Sequence, residues 1–120
     1  MAKILIVDDS LVHLYSLKSI IENEGYEVLT AEDGEHCLDT AQSQHPDLIL
    51  LDIVMPGMSG FQVNRKLRNN SGTHKIPIIF VSTRDQETDI VWGMRQGAKG
   101  YLIKPPDEAE LIELINELLG

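Results

Sequence analysis

The residues with chemistry to offer are three aspartates, two hydroxyls and one lysine, each placed at the end of a short apolar run. Asp8-Asp9 follow Ile4-Leu5-Ile6-Val7, Asp52 follows Leu48-Ile49-Leu50-Leu51, Ser82-Thr83 follow Ile78-Ile79-Phe80-Val81, and Lys104-Pro105 follow Tyr101-Leu102-Ile103. Each has a plain structural reading when taken singly. A strand-end Asp often caps a helix or sits solvated in a loop, Asp9 beside Ser10 suits a helix N-terminus, and Ser82, Thr83 and Lys104 suit turns or surface. Taken together they point to chemistry, because carboxylates crowded at close range repel unless they are protonated or bridged by a cation. Oxygen ligands of this kind suit Mg²⁺, which takes one or two carboxylates and keeps several waters. A metal site beside an ammonium and a hydroxyl has the parts for phosphoryl transfer, with a carboxylate as nucleophile and an acyl phosphate as product. Asp52, in the middle run, is the best-placed nucleophile, with Asp8 and Asp9 holding the metal beside it.

These residues can act together only if the elements that carry them end on one rim. Five apolar runs of strand length recur, the four above and Tyr26-Glu27-Val28-Leu29, and most are continuous, as in parallel strands covered on both faces. Helical spacing lies between them: Leu14, Leu17, Ile20 and Ile21 step by three or four, as do Leu111, Leu114, Ile115 and Leu118. Ser10, Asp33, Ser59, Asp85 and Asp107 are the expected helix starts, and Gly25 and Gly97 the expected stops. The pattern is (βα)5, an α/β fold. Right-handed crossovers with helices on both faces make it a doubly wound three-layer sandwich around a five-stranded parallel sheet. Ligands in such sheets bind at the carboxyl ends of the strands. Asp52 is therefore expected at a crowded edge rather than buried, its charge offset by Mg²⁺ and Lys104.

Composition narrows the partners. A chain of 120 residues makes one domain, 1–120, with no second unit or linker in view. A net charge of −9 repels phosphate backbones and anionic lipid, which argues against nucleic acid and membrane as direct partners and leaves divalent cations and basic protein patches. No apolar run reaches the roughly 18 residues of a membrane span, and the N-terminus is too short in apolar residues for a signal peptide, so a cytoplasmic location is expected. The one cysteine, Cys37, reads as a small core hydrophobe. The four histidines, His13, His36, His45 and His74, show no metal-ligand spacing and read as scattered surface residues.

Asp8-Asp9, Asp52 within DIVMPGMSG, Ser82 and Lys104-Pro105, in this order on these strand ends, resemble the receiver domain of two-component response regulators over essentially the whole chain. The resemblance implies a flavodoxin-like sheet of order 2-1-3-4-5 and a single receiver with no effector domain. It implies Asp52 as the phosphoacceptor, served by a chemotaxis-like sensor histidine kinase. Asp8, Asp9, Asp52 and the backbone carbonyl of Val54 would hold Mg²⁺, with Lys104, Ser82 and Thr83 at the phosphate. Tyr101 matches the aromatic that turns inward when the hydroxyl moves, and Pro105 the proline of a lysine-proline pair often joined by a cis bond. A downstream protein target and a monomer or weak dimer complete the expectation. The Ser82–Glu108 stretch is similar to the single-domain PilH-type regulators of type IV pilus twitching motility, chemotaxis and phototaxis pathways.

Ser82 stands where threonine is commoner in the family and keeps the hydroxyl, while Pro106 departs from the usual aromatic or small apolar residue. Val54 and Arg84 occupy positions that influence phosphate lifetime in the family. Ile90, Val91, Trp92 and Met94 give the fourth helix more apolar surface than one face needs, so Ile90, Trp92 and Met94 are candidate partner contacts. Other readings of the site are a phosphate sink for a sister regulator and a stand-alone phosphatase with an aspartyl nucleophile. The phosphatase class typically carries a second Asp at the position of Val54. A nucleotide or flavin carrier lacks its Gly-rich turn, since DDSLV follows the first strand.

Overall fold

In a computed structural model describing residues 1–120, strands and helices alternate along the chain. The order is β1 (Lys3–Val7), α1 (Leu11–Asn23), β2 (Glu27–Ala31), α2 (Gly34–Gln44), β3 (Leu48–Leu51), α3 (Gly60–Arg68), β4 (Ile78–Ser82), α4 (Glu87–Arg95), β5 (Gly100–Ile103) and α5 (Glu108–Leu119). All four strand pairings are parallel, and the sheet order is β2-β1-β3-β4-β5. This is the expected flavodoxin-like (βα)5 sandwich.

Period-two alternation sorts the continuous apolar runs onto two faces. Ile4, Ile6, Leu48, Leu50, Ile79, Val81 and Leu102 join Leu14, Leu17 and Ile21 of α1 and Leu111 and Ile115 of α5 in one core layer. Leu5, Val7, Ile49, Leu51, Ile78 and Phe80 face the other way, onto Cys37 and Ala41 of α2 and Val63 and Leu67 of α3. Burial pushes the Cys37 thiol up to about 12, so it behaves as the inert core residue its sequence context suggests.

Four of the five expected helix starts hold. Ser10, Asp33 and Asp107 accept the N–H of His13, His36 and Glu110 respectively, and Ser59 forms a reciprocal capping box with Gln62. The fourth is different: α4 starts one residue later, with Gln86 at the cap position and no side-chain cap at all. Asp85 lies outside the helix, and its carboxylate accepts instead from the Gln86 side-chain amide at 3.4 Å. Gly25 and Gly97 terminate α1 and α4 at φ of 91° and 94°, the left-handed region that favours glycine.

Candidate functional site

Sheet hydrogen bonding continues into the polar residues, which fixes their backbones before any side-chain contact is made. Asp52 N–H donates to the Val7 carbonyl at 3.0 Å, Asp8 N–H to Ala31 at 3.1 Å and Lys104 N–H to Ser82 at 2.9 Å. Strand alternation then aims the side chains. Asp8, Asp52 and Lys104 share the parity of Ile6, Leu50 and Leu102, which belong to the layer under α1 and α5. Ser82 and Tyr101 fall on the opposite parity: Ser82 continues from Phe80, and Tyr101 packs on the α2–α3 layer. The rim is thus divided into an acid–lysine set and a hydroxyl–aromatic set.

In the first set, each acid uses one oxygen locally and presents the other to the lysine. Asp8 Oδ1 accepts the Ser10 N–H at 2.9 Å and Asp52 Oδ1 the Ile53 N–H at 2.7 Å. Lys104 Nζ donates to Asp8 Oδ2 at 2.5 Å and to Asp52 Oδ2 at 3.1 Å. Asp52 is only 6% exposed and Asp8 only 1%, so the expectation that Asp52 sits unburied at an edge is corrected. Two features cause the burial. The Lys104 side chain, itself 7% exposed, lies across both carboxylates, and the Gly60 N–H bonds to the Ile53 carbonyl at 2.8 Å, folding residues 53–60 back over the strand end. Burial of two carboxylates is tolerated because both are ion-paired and hydrogen-bonded.

Asp9 is exposed beside this pair. One oxygen from each of Asp8, Asp9 and Asp52 lies within 4.8 Å of the others. Three carboxylates against one ammonium leave two negative charges, and hard oxygen donors at this spacing fit a divalent cation such as Mg²⁺. Val54 is in the loop directly after Asp52 with its side chain in solvent. Thr83 is exposed and lines a groove with Lys104 and Pro105. The Lys104–Pro105 bond is cis, as the lysine-proline pair suggests.

The second set is joined through one residue's backbone. Buried Ser82 accepts the Arg84 N–H on Oγ at 3.3 Å, while Tyr101 Oη donates to the Arg84 carbonyl at 2.7 Å. Burial, followed by the charge of Asp89, pushes the Tyr101 phenol up to about 12. The Tyr101 ring stands against Phe80, with centroids 6.1 Å apart, and Gly93 of α4 lies over both rings. On α4, Trp92, Met94 and Val91 are exposed and Ile90 is half-buried, so the surplus apolar surface does face solvent.

One further residue, from α1, belongs to the site. His13 is not a scattered surface residue: its Nδ1 is 3.0 Å from Lys104 Nζ and 3.9 Å from Asp8 Oδ2. Metal-ligand spacing gives no sign of it, because the relevant neighbours come from other elements. The available signal is positional, since a residue four beyond Asp9 in the first turn of α1 overlooks the strand ends on the side where Asp8 and Lys104 point. His36, His45 and His74 remain exposed and outside the site.

Residues 4–116 match the family described as response regulator receiver domain. The chain belongs to that family. It is 51% identical to protein PilH of Pseudomonas aeruginosa over 120 residues, covering all of this chain and 99% of that one. It is 40% identical to the response regulator PleD of Caulobacter vibrioides over 117 residues, which is 98% of this chain and 26% of that protein. Among solved structures it is similar to chemotaxis protein CheY4 of Vibrio cholerae, with a TM-score of 0.90, 34% identity and 98% coverage of both chains. A putative response regulator from Chloroflexus aurantiacus superposes with a TM-score of 0.93 at 29% identity, over 98% of this chain and 97% of that one. This receiver domain is therefore a signalling module of a two-component system. Receiver domains generally bind Mg²⁺ and work with histidine kinases and downstream targets. No helix is long and apolar enough to cross a membrane.

Proposed function

We propose that this receiver accepts a phosphoryl group on Asp52 and uses it to change its protein contacts. The observation that carries the reading is the buried Asp52 carboxylate at the end of β3, bonded to Lys104 Nζ at 3.1 Å and clustered with Asp8 and Asp9. An oxygen of Asp52 attacks the phosphorus of a phosphohistidine on a sensor histidine kinase; the phosphorus–nitrogen bond breaks and its electron pair stays on the imidazole. The product is an acyl phosphate on Asp52. Asp8, Asp9, Asp52 and the Val54 carbonyl would hold Mg²⁺, which would supply charge neutralisation at the phosphoryl oxygens.

The chain's own groups do the rest. Lys104 exchanges its bond to the Asp52 carboxylate for one to the phosphoryl group, and Ser82 offers its hydroxyl, with Thr83 at the edge. The phosphoryl group carries roughly −1.5 to −2 charges in place of the single carboxylate charge, and this draws these donors inward. When Ser82 turns toward the phosphate it gives up the Arg84 N–H, and the Arg84 backbone, whose carbonyl holds Tyr101, loses one of its two anchors. Tyr101 and α4 then respond, and Ile90, Trp92 and Met94 belong to the surface that a target reads. A two-state switch of this kind needs about 5.5 kcal/mol of preference to move from 1:99 to 99:1.

The near-full-length similarity to PilH supports a receiver working in the cytoplasm of a cell that uses type IV pilus twitching, chemotaxis or phototaxis signalling. The stand-alone phosphatase has less support, because position 54 is an apolar, exposed valine rather than an acid.

The experiment is to incubate the chain with Mg²⁺ and acetyl phosphate and look for an acid-stable, base-labile adduct on Asp52. The adduct is expected in the wild type and absent from Asp52→Asn. No adduct from either the donor or a cognate kinase, or an equal yield in Asp52→Asn, rejects the reading.

A further inference from the structure

A lysine ammonium has three N–H donors and no acceptor, so every group it touches at hydrogen-bond distance must accept from it. Lys104 Nζ has three such neighbours: Asp8 Oδ2 at 2.5 Å, Asp52 Oδ2 at 3.1 Å and His13 Nδ1 at 3.0 Å. Its donors are therefore all engaged, and the third engages an uncharged acceptor. The bond requires the imidazole lone pair on Nδ1, which places the ring proton on Nε2. His13 is held for this role by α1, where its backbone N–H caps onto Ser10 Oγ at 3.4 Å. Its side chain is 46% exposed, and it lines the groove between α1 and the Lys104–Glu108 segment.

The three acceptors behave differently during the reaction proposed above. Asp52 changes from an ion-paired carboxylate to a phosphorylated one, and Asp8 would be shared with any cation held by the acidic cluster. Only the His13 acceptor stays the same through both events. We propose that His13 is a positioning residue for Lys104: through Nδ1 it holds one ammonium proton in place, so that the other two remain directed at the rim when Asp52 is phosphorylated. The inference rests on the phosphoacceptor reading of Asp52 and deepens it.

The test follows phosphorylation by acetyl phosphate at saturating Mg²⁺ and one fixed pH, in the wild type, His13→Leu and His13→Asn, and in each again with Lys104→Ala. His13→Leu is expected to slow phosphorylation about threefold to tenfold, the worth of an ordinary net hydrogen bond and less than one to a fully buried charge, because water reaches a half-exposed site. Asn places an acceptor oxygen where Nδ1 stood and is expected to stay within about twofold of wild type. In the Lys104→Ala background His13→Leu should add nothing, since a residue that acts through the lysine has nothing left to position. A second readout is independent of turnover. The imidazole ¹⁵N signals of His13 should report a proton on Nε2 and an accepting Nδ1, and the Nδ1 signal should shift in Lys104→Ala. A His13→Leu rate equal to wild type, a loss that persists without Lys104, no rescue by Asn, or a proton on Nδ1 would each overturn the proposal. A wild-type chain that takes no phosphoryl group removes both the phosphoacceptor reading and the positioning role; a phosphorylated wild type with an indifferent His13→Leu removes only the latter.

Discussion

The two sides of the rim are built to different tolerances. On the β1–β3 side, α3 buries Gly60, Val63, Asn64 and Leu67 and opens with a full capping box, while Asp8 and Asp52 are held by ladder bonds and a shared lysine. On the β4–β5 side, α4 buries only Gly93, has no side-chain cap, and leaves Val91, Trp92 and Met94 in solvent. Local stability follows buried apolar contact and satisfied helix ends, so α4 is the helix that can move at least cost. A reactive carboxylate needs the rigid surroundings and a signalling surface the looser ones.

Four experiments test this contrast. Gly60→Ala should have the largest effect, because a Cβ there would stand 2.2 Å from the Asp52 carbonyl oxygen and 2.8 Å from Ile53 Cα, both backbone atoms. It should cost more than about 3 kcal/mol in urea unfolding, at or above the usual range for overpacking; a loss under about 1 kcal/mol would mean that the loop over Asp52 is not rigid. Lys104→Ala strips two buried carboxylates of their counter-ion and should cost about 3 kcal/mol in chelator. Excess Mg²⁺ should restore most of that, since a ligand at a hundred times its Kd adds about 2.7 kcal/mol. A Lys104→Ala stability that Mg²⁺ leaves unchanged would rule out the acidic cluster as the cation site.

A matched pair of valines compares the helices directly. Val63→Ala in α3 removes buried methyl groups and should cost about 2 kcal/mol, whereas Val91→Ala in α4 should stay within about 0.5 kcal/mol, its lost contacts offset by the better helix propensity of alanine. Similar losses would erase the contrast.

Tyr101→Phe should cost about 1 kcal/mol or less, the worth of one half-exposed hydrogen bond to Arg84. It also has a pH signature. The phenol titrates near 10.0 when unfolded and near 12 when folded, so between those values the folded state alone keeps the proton. Stability contributed by Tyr101 is therefore complete below pH 10.0 and is lost as the pH rises toward 12. The difference between wild type and Tyr101→Phe should shrink over that window, and a difference independent of pH would mean that the partly buried Tyr101 phenol is not shielded from water.

Much of this was legible in the chain. Strand-length apolar runs with polar residues directly after them placed Asp8, Asp52, Ser82 and Lys104 on one rim, and α1, α2, α3 and α5 begin at the residues whose side chains can accept orphan N–H groups. The α4 start was misplaced at Asp85 because a good capping residue type does not say whether its carboxylate is free to turn to the helix. His13 was missed for a related reason: nothing within α1 marks it, and its partners lie in β1 and after β5.

The sequence by itself determined the order of elements, the two-faced core and the chemical identity of the rim, because propensity, periodicity and capping are local and repeat along the chain. Folding in three dimensions adds that Asp52 is buried, that Lys104 bridges two acids and meets His13, and that Ser82 and Tyr101 both bond to the Arg84 backbone. Those contacts join residues from separate elements, and they depend on strand register and side-chain parity, which set distances that no single stretch of sequence contains.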